Sequence, residues 1–347
     1  MARDQGAGPV PRVAGEPAWR FMQAPTASNL VGIDVVNREV VWACGSFQGP
    51  GEDPGPGAVI RTIDGGRAWQ DVTPPGGEHL AFHDLEAFDH NNALALAVGA
   101  GELSKIYRTA DGGQNWDLVF ANPADGPFYD GIAFFDHDNG IAVSDPDPVH
   151  RKFGILTTSD GGRSWHVAPS NGMPLALSIE GVWATGTSLV AKGPRDAWFG
   201  TVAEPDNSRL FHTRDRGRTW SVASTPIPGL PADRGIVSLA FWDTHHGLAL
   251  GGGWPDTNRP SVAAVTTDGG TTWSQVGSPT GFRTNMALVP TSGGDTAVAV
   301  GYTGSDITTD GGRSWQLFDQ TDLRGIDCAH GSCWAVGMGG RTAELMR

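Results

Sequence analysis

Only two lysines, Lys105 and Lys152, occur in 347 residues, and the 24 basic groups face 38 acidic ones for a formal net charge of -14. With no Lys/Arg cluster, a surface of this sign repels polyphosphate, which excludes nucleic-acid binding and electrostatic docking to an anionic membrane. Partners are expected to be neutral or cationic. No apolar run approaches the roughly 18 residues needed to cross a bilayer as a helix, so no membrane insertion is expected. The opening "MARDQGAGPVPRV" lacks the apolar centre of a signal peptide. Residues 1–17 read as a disordered lead-in or the remainder of a processed leader. The chain as it stands is expected to be cytoplasmic, or exported if a leader was removed.

Cysteine is scarce too. "CAHGSC" sets Cys328 and Cys333 across a short hairpin, where either a disulfide or a pair of reduced thiols fits, and with Cys44 alone elsewhere no zinc spacing arises. No Gly-x-Ser-x-Gly elbow, dinucleotide-binding Gly-x-Gly-x-x-Gly, haem or iron–sulfur spacing occurs. Runs of helix formers are missing as well. With 50 glycines and 24 prolines, the composition favours an all-β chain of short strands joined by turns.

What is present is a repeat. "RTIDGGRAWQDV" at 61 returns as "RTADGGQNWDLV", "TTSDGGRSWHVA", "HTRDRGRTWSVA", "TTDGGTTWSQV" and "TTDGGRSWQLF", placing its aspartate at Asp64, Asp111, Asp160, Asp215, Asp268 and Asp310. Between turns the same order recurs: an apolar run, a turn, a run of the "ALALAVG" type, a variable loop and a short strand. Four strands per unit at a period of about 50 residues describe the blade of a β-propeller. After Trp315 the chain supplies three further strands and no fourth. "AWRFMQAP", residues 18–25, reads like the "SWHVAP" that follows a turn and is expected to complete that last blade, closing the ring and leaving no open sheet edge. The expectation is one seven-bladed domain over 18–347; a six-bladed ring with ragged ends is the alternative.

Within each turn the aspartate can accept backbone N–H groups, the glycines can take positive φ, and the tryptophan can cover the turn. A residue needed six times by symmetry is structural rather than a unique acid or base.

These turns resemble the Asp-box of BNR-repeat proteins. "GLALGG" or "IAVSD" ahead of "TTDGGRSW", together with "FYDGIAFFD", "SDPDP" and "GYTGSDITTDGGRSW", is similar to the photosystem II stability/assembly factor-like family, in its non-photosynthetic bacterial branch often labelled "oxidoreductase" or "sialidase family". The resemblance covers nearly the whole chain. It implies a propeller, and since plant and cyanobacterial members are assembly chaperones for a membrane complex, it implies a binding or assembly role. Asp-box propellers also include glycosidases that work through two carboxylates, which implies an enzymatic alternative. The Arg-Ile-Pro segment of sialidases is absent, and the only tyrosines are Tyr107, Tyr129 and Tyr302.

Loops between second and third strands, the links between blades and the inner strands are where propeller sites are expected. "HLAFHDLEAFD" brings Asp84 and Glu86 onto one strand face with His83 and His79 nearby, a set suited to acid–base chemistry or, as a carboxylate cluster, to a calcium ion. No metal ligand is assigned. With Glu180, the trio His83, Asp84 and Glu86 is the catalytic set if the chain is a glycoside hydrolase, lyase or cyclase. The ligand-binding candidates are Tyr129, Asp130, Ser144, Asp145, Trp254, Arg283, Asn285, Tyr302, Asp306, Arg324 and Asp327. If they converge, carboxylates on one side and two arginines on the other suit a zwitterionic or amine-bearing ligand or a peptide; equally, the arginines only neutralise the acids. The first reading is a monomeric module gripping a protein segment or small polar ligand at the funnel face, and the second is the carboxylate enzyme.

Overall fold

The computed structural model describes residues 15–46, 55–183, 187–202, 207–229, 234–253, 259–290 and 292–346. Its regular structure is short antiparallel strands with a few one-turn 3-10 segments. No helix among the described residues is long and apolar enough to cross a membrane.

Five sheets have four strands each. Sheet A is Leu30–Val35, Val41–Gly45, Ala58–Thr62 and Gln70–Asp71. Sheet B is Ala81–Ala87, Ala93–Val98, Lys105–Thr109 and Asp117–Ala121. Sheet C is Tyr129–Phe134, Gly140–Pro146, Phe153–Thr158 and His166–Val167. Sheet D has nine strands in two arms. Its first arm holds Gly181–Val182, Leu189–Lys192, Asp196–Val202, Asn207–Thr213 and Ser221–Pro228, and its second Arg234–Phe241, Gly247–Gly253, Val262–Thr266 and Ser274–Gln275. A single residue pair, Val202 with Gly235, joins the arms. Sheet E is Asn285–Leu288, Ala297–Gly301, Gly304–Thr308 and Gln316–Asp319. Sheet F is Gly325–Ala329, Ser332–Val336 and Arg341–Met346, completed by Ala18–Gln23.

The first strands touch one another in chain order around the molecule, and Gly325–Ala329 returns to touch Leu30–Val35. They therefore line a central channel. Second strands such as "ALALAV", "AVAVG" and "SCWAV" are buried at every residue because a neighbouring sheet covers each face, which is why they read as continuous runs of small apolar residues rather than alternating ones. A hydrophobic cluster fills each junction between successive sheets, and one of them, containing Trp69, Ile60, Trp334 and Val336, joins sheet A to sheet F. The N-terminal strand Ala18–Gln23 pairs with the last strand, Arg341–Met346. Ala18 lies opposite Met346 and Gln23 opposite Arg341, and buried Trp19 donates its indole N–H to Ser305 Oγ of sheet E at 2.9 Å.

All six repeated turns share one bonding scheme. In the turn of Asp160, Thr158 Oγ1 donates to Asp160 Oδ1 at 2.8 Å and accepts the Gly162 N–H at 3.1 Å, while Ser164 donates its N–H to Oδ1 at 3.0 Å and its hydroxyl to Oδ2 at 2.7 Å. These donors hold the Asp160 carboxyl down at about 2 against the cost of partial burial. Two successive glycines take positive φ in five of the turns; in the sixth, Arg216 stands in the first position at φ 61, a backbone region that costs a side-chain-bearing residue energy.

Two features depart from the sequence reading or settle it. The fourth unit departs from four strands: Gly181–Val182 and Leu189–Lys192 both pair with Asp196–Val202, and Ser188 Oγ donates to Trp183 O at 2.5 Å. Cys328 and Cys333 sit directly opposite in their hairpin and are disulfide-bonded, with Cα atoms 4.1 Å apart.

Candidate functional site

The channel concentrates carboxyls. Asp34, Asp84, Glu86 and Asp327 all come from first strands, and each is half-buried. Three of them act between sheets. Asp327 Oδ2 accepts the Val35 N–H at 2.8 Å, Asp34 Oδ2 accepts Ala87 N–H at 2.6 Å, and Asp84 Oδ2 accepts Ile132 N–H at 2.9 Å. Two related contacts differ in place or chemistry: Asp145 Oδ1, from the second strand of sheet C, accepts Val182 N–H at 2.9 Å, and Ser238 Oγ accepts Met286 N–H at 3.0 Å. Glu86 takes no hydrogen bond among the described residues. Burial pushes the Asp84 carboxyl up to about 7 against the pull of the Ile132 and Leu85 amides. Burial, reinforced by the charges of Asp34, Asp84 and Asp327, holds Glu86 well above the usual carboxylate range; Asp34 and Asp327 are raised chiefly by burial as well. A carboxyl kept protonated near neutral pH can donate a proton or a hydrogen bond, and an ionised one here attracts a cation. No group of three or more His, Cys, Asp or Glu among the described residues is arranged to hold a metal ion.

The remaining candidates are dispersed and mostly engaged. His83 is the extra residue of a bulge between Phe82 and Asp84, and with His79 it lines a cavity of about 530 Å³ at the start of sheet B, away from Glu86 on its strand. Glu180 is sealed: Arg209 Nε donates to its Oε1 at 2.9 Å, Arg209 Nη2 donates to Oε2, and Thr201 Oγ1 adds a bond at 2.7 Å. Arg283 closes on Asp306 at 2.6 Å and on Thr303 at 2.8 Å, and Asp306 also takes Thr280. Arg324 closes on Asp322 at 2.8 Å with its guanidinium carbon 4.2 Å from the Tyr302 ring centroid. Among the described residues, Arg283 pairs with Asp306 and Arg324 with Asp322 rather than with a channel carboxyl. Asn285 accepts from Thr187 and from the Met286 N–H. Tyr129 is buried against Phe120, which pushes its phenol up to about 12. Ser144 bonds Gly154 N–H and Asp145 O. Buried Asp130 has no partner for Oδ2 among the described residues and is raised by burial and by Asp145. Trp254 lies outside the described residues.

Because successive strands are antiparallel, the second-to-third loops and the links between sheets share one face of the ring, and the six aspartate turns share the other. On the loop face, Asp145–Pro148 and Arg151 with Ala176–Gly181 line a cavity of about 500 Å³ between sheet C and the first arm of sheet D. On the turn face, a cavity of about 490 Å³ opens beside Leu239, Phe241, Met286, Leu288, Asp327 and Cys328. Sequence reasoning directed attention to the loop face alone.

No protein-family model matches the chain, and no curated protein matches it in sequence. Solved structures do match. A structure of YCF48 bound to D1 peptide aligns with a TM-score of 0.65 at 16% identity, over 97% of this chain and 97% of that one. The fold is a β-propeller. Virginiamycin B lyase from Staphylococcus aureus aligns with a TM-score of 0.65 at 12% identity, over 96% of this chain and 100% of that one. The GH74 xyloglucanase from Xanthomonas campestris gives 0.58 at 14%, over 92% of this chain and 59% of that one. At such identities the propeller likeness speaks for architecture and leaves chemistry to the residues.

Sequence reasoning missed Asp34. The signal was there, since "GIDVV" at 32 and "GIDCA" at 325 are the same first-strand tripeptide, and both aspartates bond the next strand of the propeller. It also missed Arg209, 29 residues from the glutamate it neutralises.

Proposed function

We propose that the chain is a single-domain, seven-bladed Asp-box propeller spanning 18–347, and that it is a binding or assembly module for a protein segment or a small polar ligand on its funnel face. Counting each arm of sheet D as a blade gives seven units of a common plan, with first-strand aspartates bonding sheets F to A, A to B and B to C. The observation that carries the binding reading is that the groups a catalyst would need are spent on the fold: Glu180 on Arg209, Arg283 on Asp306, Arg324 on Asp322, and Asp84 on the Ile132 amide. A peptide-bound propeller of the same architecture supports the choice of a protein segment.

One observation favours the enzymatic alternative. Glu86 takes no hydrogen bond among the described residues and its carboxyl is raised by burial, with Asp84 two residues away and raised to about 7, a pairing that could divide acid and base roles. A calcium ion among these carboxyls belongs to the same alternative. The readings separate when purified protein is incubated with panels of oligosaccharides and peptides, binding being followed by thermal shift and turnover by NMR. Binding without turnover is expected. Turnover that vanishes in Glu86→Gln and Asp84→Asn would establish the enzyme instead.

A further inference from the structure

We propose that the loop-face cavity between sheet C and the first arm of sheet D docks a protein segment that presents large apolar side chains and at least one lysine or arginine. This rests on the binding reading above and assigns it a place and a partner chemistry.

Exposed apolar side chains mark the place. Of eleven large apolar residues exposed among the described ones, four belong to the two loops around this cavity: Val149 at 80%, Leu175 at 56%, Ile179 at 55% and Leu177 at 39%. Leu177 and Ile179 line it with Pro146 and Pro148, and Val149 and Leu175 flank it in the same loops. The other seven are scattered around the ring, Val167 and Val222 among them on the outer strands of sheets C and D. A clustered apolar patch with a polar rim, unlike single exposed residues, marks a contact surface.

The loops are also fixed in advance. Ala176 is buried and held from both sides, its N–H donating to Arg151 O at 2.8 Å and its carbonyl accepting Arg151 Nη2 at 2.6 Å. This turns Leu175 and Leu177, on either side, outward. Leu175 O accepts Arg209 Nη2 at 3.0 Å, and Leu177 N–H donates to Glu180 Oε2 at 3.0 Å. On the facing loop, Asp147 Oδ1 accepts the N–H groups of Val149 at 2.8 Å and His150 at 2.6 Å. A surface already ordered loses little conformational entropy when it binds.

Charge selects the partner. The local cations are occupied: Arg151 on Ala176 O, Arg209 on Glu180, and Lys152 Nζ on Ser170 O at 2.6 Å. Asp145 and Asp147 remain at the cavity, and the donors around Asp147 hold its exposed carboxyl below the usual range, so that it is ionised. Beside His150, which bonds Asp147 through Nδ1, no basic group among the described residues around the cavity is left to meet an acidic partner. A second copy of this chain fits poorly, because two-fold pairing of the patch would set Asp147 near its own symmetry mate.

The test sorts a phage-displayed library of random 12-residue peptides on the full chain, then measures synthetic versions of the enriched peptides by fluorescence anisotropy. The expected peptides combine two or more large apolar residues with lysine or arginine. Their affinity should fall at least ~10-fold in Leu175→Asp/Leu177→Asp and a few-fold in Asp147→Asn, with Leu118→Asp on sheet B as the unaffected control. Melting temperatures matching the wild type guard against misfolding of the variants. Enrichment of acidic peptides, or affinities indifferent to Leu175 and Leu177, overturns the proposal. Affinities lost in Glu86→Gln instead would leave the segment-binding reading standing and move it to the channel. If no peptide is enriched, both fall. Concentration-dependent dimerisation in sedimentation velocity that Leu175→Asp/Leu177→Asp abolishes would name a second copy as the occupant and overturn the proposal as well.

Discussion

Asp84→Asn separates two effects that the channel aspartate combines. Its carboxyl accepts the Ile132 and Leu85 amides, which stabilises the junction of sheets B and C, and burial raises it from 3.8 to about 7. A group raised in the folded state binds more protons folded than unfolded at intermediate pH. Its favourable contribution is therefore complete below its unfolded value and disappears as pH climbs through about 7. Holding the ionised form above that pH costs on the order of 4 kcal/mol. Asparagine cannot ionise, but it offers a single acceptor oxygen and turns an N–H₂ toward one of the two amides, a loss of ~1–2 kcal/mol. The variant should thus be less stable than wild type by ~1–2 kcal/mol near about pH 4.5 and more stable by ~2 kcal/mol near about pH 8.5, with a crossing between. The gain at high pH should be reinforced because the Asp84 charge also raises Asp34 and Glu86. Urea unfolding followed by the emission of the 13 tryptophans measures it. Parallel stability–pH profiles for the two proteins, or a variant weaker at every pH, would refute the reasoning.

Asp160→Ala leaves Ser164 N–H, Ser164 Oγ and Thr158 Oγ1 without their shared acceptor and should lower stability by ~1–2 kcal/mol at neutral pH. Because this carboxyl is depressed to about 2, its contribution is present above the ordinary aspartate range and fades as pH falls through about 2, so thermal melts of mutant and wild type should converge in strong acid. Glu180→Gln and Arg209→Met should each cost about 3–5 kcal/mol by stranding a buried charge, while the double variant recovers part of the loss in a double-mutant cycle read by urea unfolding. Gly66→Ala places a Cβ 2.5 Å from the Trp334 ring at φ +76, so differential scanning calorimetry should show a melting temperature lowered by several degrees, roughly as for a loss of ~2 kcal/mol.

The repeat made the architecture legible because each of its signals is local. Thr, Asp, Gly and Trp within eight residues specify a turn whose bonds are all internal, and "ALALAV" announces a strand covered on both faces. The pairing of the N-terminal strand was legible through Trp19, since "AWRFMQAP" reads like the "SWHVAP" that follows a turn. The candidate site was less so, because its outcome depended on partners distant in sequence. Glu180 and Arg209 are 29 residues apart and Arg283 and Asp306 are 23 apart, so a list of charged residues could not say which would be consumed. Leu175, Leu177 and Ile179 alternate as a buried strand would; only the anchoring of Ala176 to Arg151 turns them outward.

The same logic explains why the channel is acidic without making acidity evidence of catalysis. Neighbouring first strands belong to different sheets, so they do not complete each other's hydrogen-bond ladders, and amides such as those of Val35, Ala87 and Ile132 need an acceptor. An aspartate on the preceding first strand supplies it, as Asp327, Asp34 and Asp84 do. Where the acceptor is Ser238 Oγ, for Met286, the geometry is kept without the charge. The requirement is thus for an oxygen at that position, and burial then raises whichever carboxyl provides it. Glu86 falls outside this account: it accepts no amide among the described residues, and the carboxyls around it make its own ionisation harder. A structural role would be indifferent to Glu86→Gln. Any ligand or reaction in the channel should not be, and that makes this substitution the sharper probe of the interior.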